Sequence, residues 1–189
     1  MLRVSPASAG GPPAKEPRTL YRKILVAIDD SATSTRALDE AIRLATDQRA
    51  QLCIVHAVEP LAATLDPEAG MFADELLASL RDSAQALLAR ASARAARRGV
   101  TARTALIDNG GYPVAQLVLA YAKRWKPGVI VLGTHGRRGL QHLLMGSDAE
   151  TILREATVPV LLVRTPGGAK KTAGRSKSAT RKGSGARAR

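Results

Sequence analysis

Between Arg22 and Val163, short apolar runs alternate with longer stretches whose apolar residues recur every three or four positions, the patterns of buried strands and one-sided helices. Residues 22–28, RKILVAI, form a β-branched run that empties into Asp29-Asp30-Ser31 and predict a buried strand followed by a turn. Ala37, Leu38, Ala41, Ile42 and Ala45 then keep the spacing of one helix face, with Ser31 or Ser34 as its N-cap. Residues 51–58, QLCIVHAV, predict a second strand, and residues 59–70, with Pro60 and Pro67, a loop. Leu76, Leu77, Leu80, Ala84, Leu87, Leu88 and Ala91 hold helical phase up to Gly99, which stands where a C-terminal glycine cap belongs. Residues 100–107 alternate polar and apolar positions as an edge strand does. After the turn Asn109-Gly110-Gly111, Pro113 suits the first position of a helix whose buried face would be Val114, Leu117, Val118 and Tyr121. Residues 129–132 read as a central fourth strand, 148–156 as a helix and 160–163 as a last strand.

Strand and helix alternate throughout, and right-handed crossovers then make the sheet parallel. The expected fold is an α/β domain, a five-stranded doubly wound parallel sheet with helices on both faces. Hydrophobic residues make up 45% of the 189 positions and aromatics 3%, so the core has to be aliphatic. The single cysteine, Cys53, rules out an internal disulfide and lies in an apolar run, as a small buried hydrophobe would. No stretch approaches the ~18 apolar residues of a membrane span, and the first 20 residues lack a secretory apolar core. A cytoplasmic protein with no membrane contact is expected.

The net charge of +13 invites a nucleic-acid reading, and its distribution qualifies that reading. Residues 170–189 hold eight basic residues and no acid, residues 1–20 add a net +2, and 21–169 are left with +3. Both ends are rich in Gly, Ser, Ala or Pro without periodicity, a composition that does not support a core. The expected organisation is a disordered arm over 1–20, a folded domain over 21–165 and a disordered basic tail over 166–189. Such a tail would contact nucleic-acid phosphates or an acidic partner without sequence preference, since it has no aromatic residue to stack on bases. A solvated arm with no partner is an equal reading.

The segment Gly133-Thr134-His135-Gly136-Arg137-Arg138-Gly139 follows the fourth strand, and Gly146-Ser147-Asp148 precedes the last helix. Glycines let the backbone adopt positive φ and approach a ligand closely, so that successive N–H groups converge on phosphate oxygens. On that view a β-branched side chain at Gly133 or Gly146 would take the phosphates' space. Ser147 adds a hydroxyl at a helix N-terminus, where unpaired amides and the dipole favour an anion. The arrangement is neither a P-loop, which ends in Gly-Lys-Ser/Thr, nor the G-x-G-x-x-G dinucleotide loop. A glycine pair in a strand-to-helix loop is more often a turn than a site. Here the later Gly-Ser, the loop arginines and the position at a strand's carboxyl end, which Asp29 shares, tip the reading towards phosphate.

Lys23-Ile24-Leu25-Val26-Ala27-Ile28-Asp29-Asp30-Ser31, the Gly-x2-Gly-x9-Gly-Ser spacing from Gly133 to Ser147, and Val158-Pro159-Val160-Leu161-Leu162-Val163 together resemble the universal stress protein family from about Tyr21 to Arg164. The resemblance implies ATP as ligand. It implies phosphate contacts from Gly133, Gly136, Gly146 and Ser147, Asp29 on the ribose or adenine side, and Ala27, Ala57 and Leu132 lining the adenine pocket. It also implies a homodimer through residues 158–164, a strand too apolar for an edge facing water. Asp30 stands where the family often has glycine and tolerates the same turn at some cost. Gly128 replaces a common Asp. Asp148 has two readings, an acid favoured in the first helical turn, which is preferred, and a metal ligand near the phosphates.

His135 could donate to a phosphate from inside the loop, whereas His56 reads as a packed core residue and His142 as loop surface. No His/Cys pair has the spacing of a zinc site. The function expected is that of an ATP-binding regulatory module in the stress response with little or no rapid turnover, because no residue is forced into the role of general base. The alternative is slow hydrolysis in which Asp29 or Asp148 holds Mg²⁺ and Arg137 or His135 stabilises charge.

Overall fold

The computed structural model describes residues 20–58, 70–108, 111–134 and 145–164. Residues 1–19, 59–69, 109–110, 135–144 and 165–189 lie outside the described residues. With them go the expectations for His135, Gly136, Arg137 and His142.

Five parallel strands, β1 (Lys23–Ala27), β2 (Gln51–Val58), β3 (Ala102–Asp108), β4 (Val129–Gly133) and β5 (Val160–Val163), form one sheet in the order β3-β2-β1-β4-β5. The connecting helices are α1 (Ala32–Gln48), α2 (Gly70–Ala96), α3 (Val114–Trp125) and α4 (Ser147–Glu155). Successive side chains on a strand point to opposite faces, and both faces are covered. Ile24, Val26, Leu52, Ile54, Val129 and Val131 pack with α1 and α2, whereas Leu25, Cys53, Val55, Ile130 and Leu132 pack with α3 and α4. The fold is therefore the doubly wound α/β sheet that the alternation of elements predicts, and the alternating strand β3 is an edge.

The helices begin and end for local reasons. Ser31 is the N-cap of α1, its hydroxyl accepting from the Ser34 amide at 3.1 Å. At the end of α2, Gly99 adopts φ of 75°, and the amides of Gly99 and Val100 return to the carbonyls of Ala96 and Ala95. Asp30 also takes positive φ, 66°, as expected for an Asp standing in for glycine.

Two helix faces differ from expectation. Residues 75–83 of α2 do not reach the core: Leu76 is 39% exposed and Leu77 and Leu80 are half-buried, so the first core position among the described side chains of this helix is Ala84. The cause is length, because a 27-residue helix is about 40 Å long and the eight-residue β2, the longest strand, about 26 Å. In α3, Ala115, Val118, Leu119 and Ala122 make the buried face, and Pro113 is the N-cap rather than the first helical residue. Small alanines allow the helix to lie close to the sheet, which leaves Val114 and Tyr121 partly buried at the margin of the same cluster.

Candidate functional site

The strand order reverses between β1 and β4: from β1 the chain moves outward to β2 and β3, and from β4 the other way to β5. In such sheets the crevice beyond the carboxyl ends at this point accepts ligands, because the two connections diverge to opposite faces. The structure brings Asp29, Gly133, Thr134, Gly146, Ser147 and Asp148 to this end of the sheet. Ala27 and Leu132 lie here too, one step beyond the paired Val26 and Val131, on the face that α3 and α4 cover. Ala57 continues the face of Cys53 and Val55 on the neighbouring strand.

The β1–α1 turn is held from three sides. The Ile28 amide continues the ladder to Val55 O at 2.9 Å, and buried His56 donates from Nδ1 to Ile28 O at 2.7 Å. Asp29 donates its amide to Ser34 Oγ and accepts the Ser31 amide on Oδ1, both at 3.1 Å. Arg90 of α2 approaches the exposed Asp30 carboxylate at 3.5 Å. The half-buried Asp29 carboxylate thus sits on a turn whose position is fixed by β2 and by the first turn of α1.

At Gly133 the space that a side chain would take differs from expectation. A Cβ there would lie 2.9 Å from Ser34 N and 2.9 Å from the Thr33 carbonyl carbon, so the space beside this glycine belongs to α1 and not to a phosphate. Nor do Gly133 or Gly146 use positive φ: among the described glycines only Gly99 and Gly111 do, and Gly146 is extended with φ of −63° and ψ of 145°. Thr134, 6% exposed, donates its amide to Val163 O at 3.0 Å and accepts the Gly146 amide on its carbonyl at 2.9 Å. The two ends of the segment 135–144 are therefore tied together, and the start of α4 is anchored beside the end of β4. With the Gly146 amide engaged, the donors at this helix end are the first-turn amides, which have no intrahelical acceptor, and the exposed Ser147 hydroxyl.

Asp148 does something its position in the chain did not reveal. Its Oδ1 accepts the Ala115 amide of α3 at 3.2 Å, so the acid in the first turn of α4 also caps a second helix. Among the described residues, no group of three or more His, Cys, Asp and Glu side chains is placed to hold a metal ion. Cys53 is buried against the Tyr121 hydroxyl at 3.4 Å, and burial raises both their pKa values, that of Tyr121 to about 12. Both therefore stay protonated at neutral pH and act as packing groups. No described helix is long and apolar enough to cross a membrane.

A model of the universal stress protein family matches residues 20–164. Universal stress protein YxiE of Bacillus subtilis is 35% identical over 151 residues, covering 77% of this chain and all of that protein. A crystal structure of a universal stress protein family member from Burkholderia pseudomallei is 34% identical and superposes with a TM-score of 0.63 over 78% of this chain and 98% of that one. A universal stress protein crystallised in complex with cAMP is 25% identical, with a TM-score of 0.59 over 78% of this chain and 99% of its own.

Proposed function

The chain belongs to the universal stress protein family, and from that premise we propose that it is a regulatory module that binds an adenine nucleotide, ATP foremost, with little or no rapid turnover. The observation that carries this reading is the junction at Thr134. There one residue ties the end of β4 to the start of α4, so that this helix end lies, like Asp29 after β1, at the carboxyl end of the sheet beside the switch point, where a crevice would accept a ligand. Phosphates belong at the α4 end, met by Ser147 and the first-turn amides, and by Gly136, His135 and Arg137 of the segment that precedes it in the chain. Asp29 serves the ribose or the base, and Ala27, Ala57 and Leu132 give the base an apolar wall. The cAMP complex of a related protein supports an adenine nucleotide as the ligand class.

Mass spectrometry of the small molecules released on denaturing freshly purified protein, followed by calorimetric titration of the stripped protein with ATP, ADP, AMP, cAMP and adenosine, tests the reading. A released adenine nucleotide and micromolar binding are expected; no release and no binding by any of the five defeats it. Phosphate release should stay far below the ~10 per second of a typical enzyme.

We further propose that a second copy pairs along β5. This strand is an edge of the sheet with the apolar sequence VLLV, all four residues half-buried in the single chain. Pairing across a two-fold axis satisfies both backbones and closes as a dimer.

A further inference from the structure

Among the described residues at this site, the Asp148 side chain joins two helix ends. It follows Ser147 in the first turn of α4, and its carboxylate reaches 33 residues back along the chain to the second amide of α3. That amide needs an acceptor from elsewhere, because α3 opens on Pro113, whose side chain offers none. The Ala115 residue that carries it is 2% exposed. Asp148 thereby does for α3 what an N-cap side chain ordinarily does, while its charge lies at the positive ends of two helices at once.

We propose that Asp148 is a positioning residue for the phosphate site: by capping α3 it fixes the direction in which the first turn of α4 presents its amides and the Ser147 hydroxyl to an anion. The inference rests on the reading of that helix end as the phosphate site. It differs from both roles open to Asp148 in the sequence, a favourable charge for α4 alone or a metal ligand, because what matters is the oxygen acceptor and not the charge. Asparagine keeps an oxygen of the same reach and loses the charge; alanine loses both.

The test compares Asp148→Ala and Asp148→Asn with the unaltered full chain, stripped of nucleotide. In hydrogen exchange of the apo protein, the first turn of α3 should exchange faster in Asp148→Ala and at the original rate in Asp148→Asn. In calorimetry, Asp148→Ala should weaken ATP about five- to tenfold, the size of one capping bond, and leave adenosine within about twofold. Asp148→Asn should bind ATP at least as well as the unaltered protein, with EDTA or Mg²⁺ making the same difference in both. The selective loss for ATP separates positioning from general destabilisation, which would weaken adenosine equally. Asn behaving like Ala overturns the proposal in favour of charge or metal binding, and unchanged α3 exchange in Asp148→Ala overturns it outright. If the unaltered chain binds no nucleotide, the functional reading fails while the exchange comparison still decides whether the strut exists.

Discussion

Gly133 is bare because α1 leaves no room for a side chain. A methyl group there would stand 2.9 Å from two backbone atoms of Thr33 and Ser34, which cannot rotate away as a side chain would, so α1 or β4 would have to shift. Gly133→Ala should therefore cost about 1–3 kcal/mol of stability, the range for overpacking a core, read as a lowered denaturant midpoint without added ligand. An unchanged midpoint would mean that α1 yields easily. Nucleotide binding lost in this variant reports a displaced α1 rather than a filled phosphate site. Gly146 makes the contrast, because its extended backbone is open to any residue.

Between elements, the junction of α1 and α2 is held by a paired charge as well as by the aliphatic cluster. Arg94 meets Asp39 with two guanidinium nitrogens, Nε donating to Oδ1 at 2.6 Å and Nη2 to Oδ2 at 2.7 Å. The Arg94 hydrogen bonds hold the Asp39 carboxyl below its usual pKa of 3.8, against the opposing effect of partial burial. A depressed carboxylate pKa stabilises the fold fully above the unfolded value and loses that contribution as pH falls through the folded one. The two side chains are 31% and 37% exposed, and solvent screening limits the gain to about 1 kcal/mol or less. Asp39→Asn should accordingly be less stable than the original at pH 7 by about that amount. The difference should shrink as pH drops below 3.8. A gap of constant size down to pH 2 would assign the effect to packing.

At the scale of the molecule, the open side of the sheet is β5. A groove of about 470 Å³ runs between α1 and this strand, so α1 does not cover the edge. The carbonyls of Pro159 and Val163 accept from Ile130 of β4 and from Thr134 just after it, which by the alternation of a strand turns the backbone of Val160 and Leu162 outward. Leu162→Pro removes one outward N–H and spares the β4 ladder, as proline at an edge does. Light scattering should show a dimer for the unaltered chain, for Leu162→Ala and for a chain lacking residues 166–189, and a monomer for Leu162→Pro. The alanine variant controls for the contact Leu162 makes with the α3–α4 side of the core. A monomeric unaltered chain at micromolar concentration removes the proposed pairing.

Sequence by itself determined which residues of the strands and of α1 turn inward, because that information is periodic and local. The ends of β2 and β5, the buried Cys53 and His56, a cap at Ser31 or Ser34 and the edge position of β3 were all legible in runs of a few residues, and the left-handed turn at Asp30 in the family resemblance. Legible too was the gathering of Asp29, Gly133, Gly146 and Ser147 at the carboxyl end of a parallel sheet, since the alternation of elements dictates it. Only the tertiary structure decided what each of those residues touches. Gly133 is close-packed because α1 crosses it, the Gly146 amide serves Thr134 rather than a ligand, and Asp148 caps a helix that begins 33 residues earlier in the chain. Likewise the leucines at 76, 77 and 80 keep perfect helical phase yet lie beyond the core, because α2 is longer than the sheet it packs on. Periodicity specifies a face but not its partner, and partners depend on distances between segments that meet only when the chain folds.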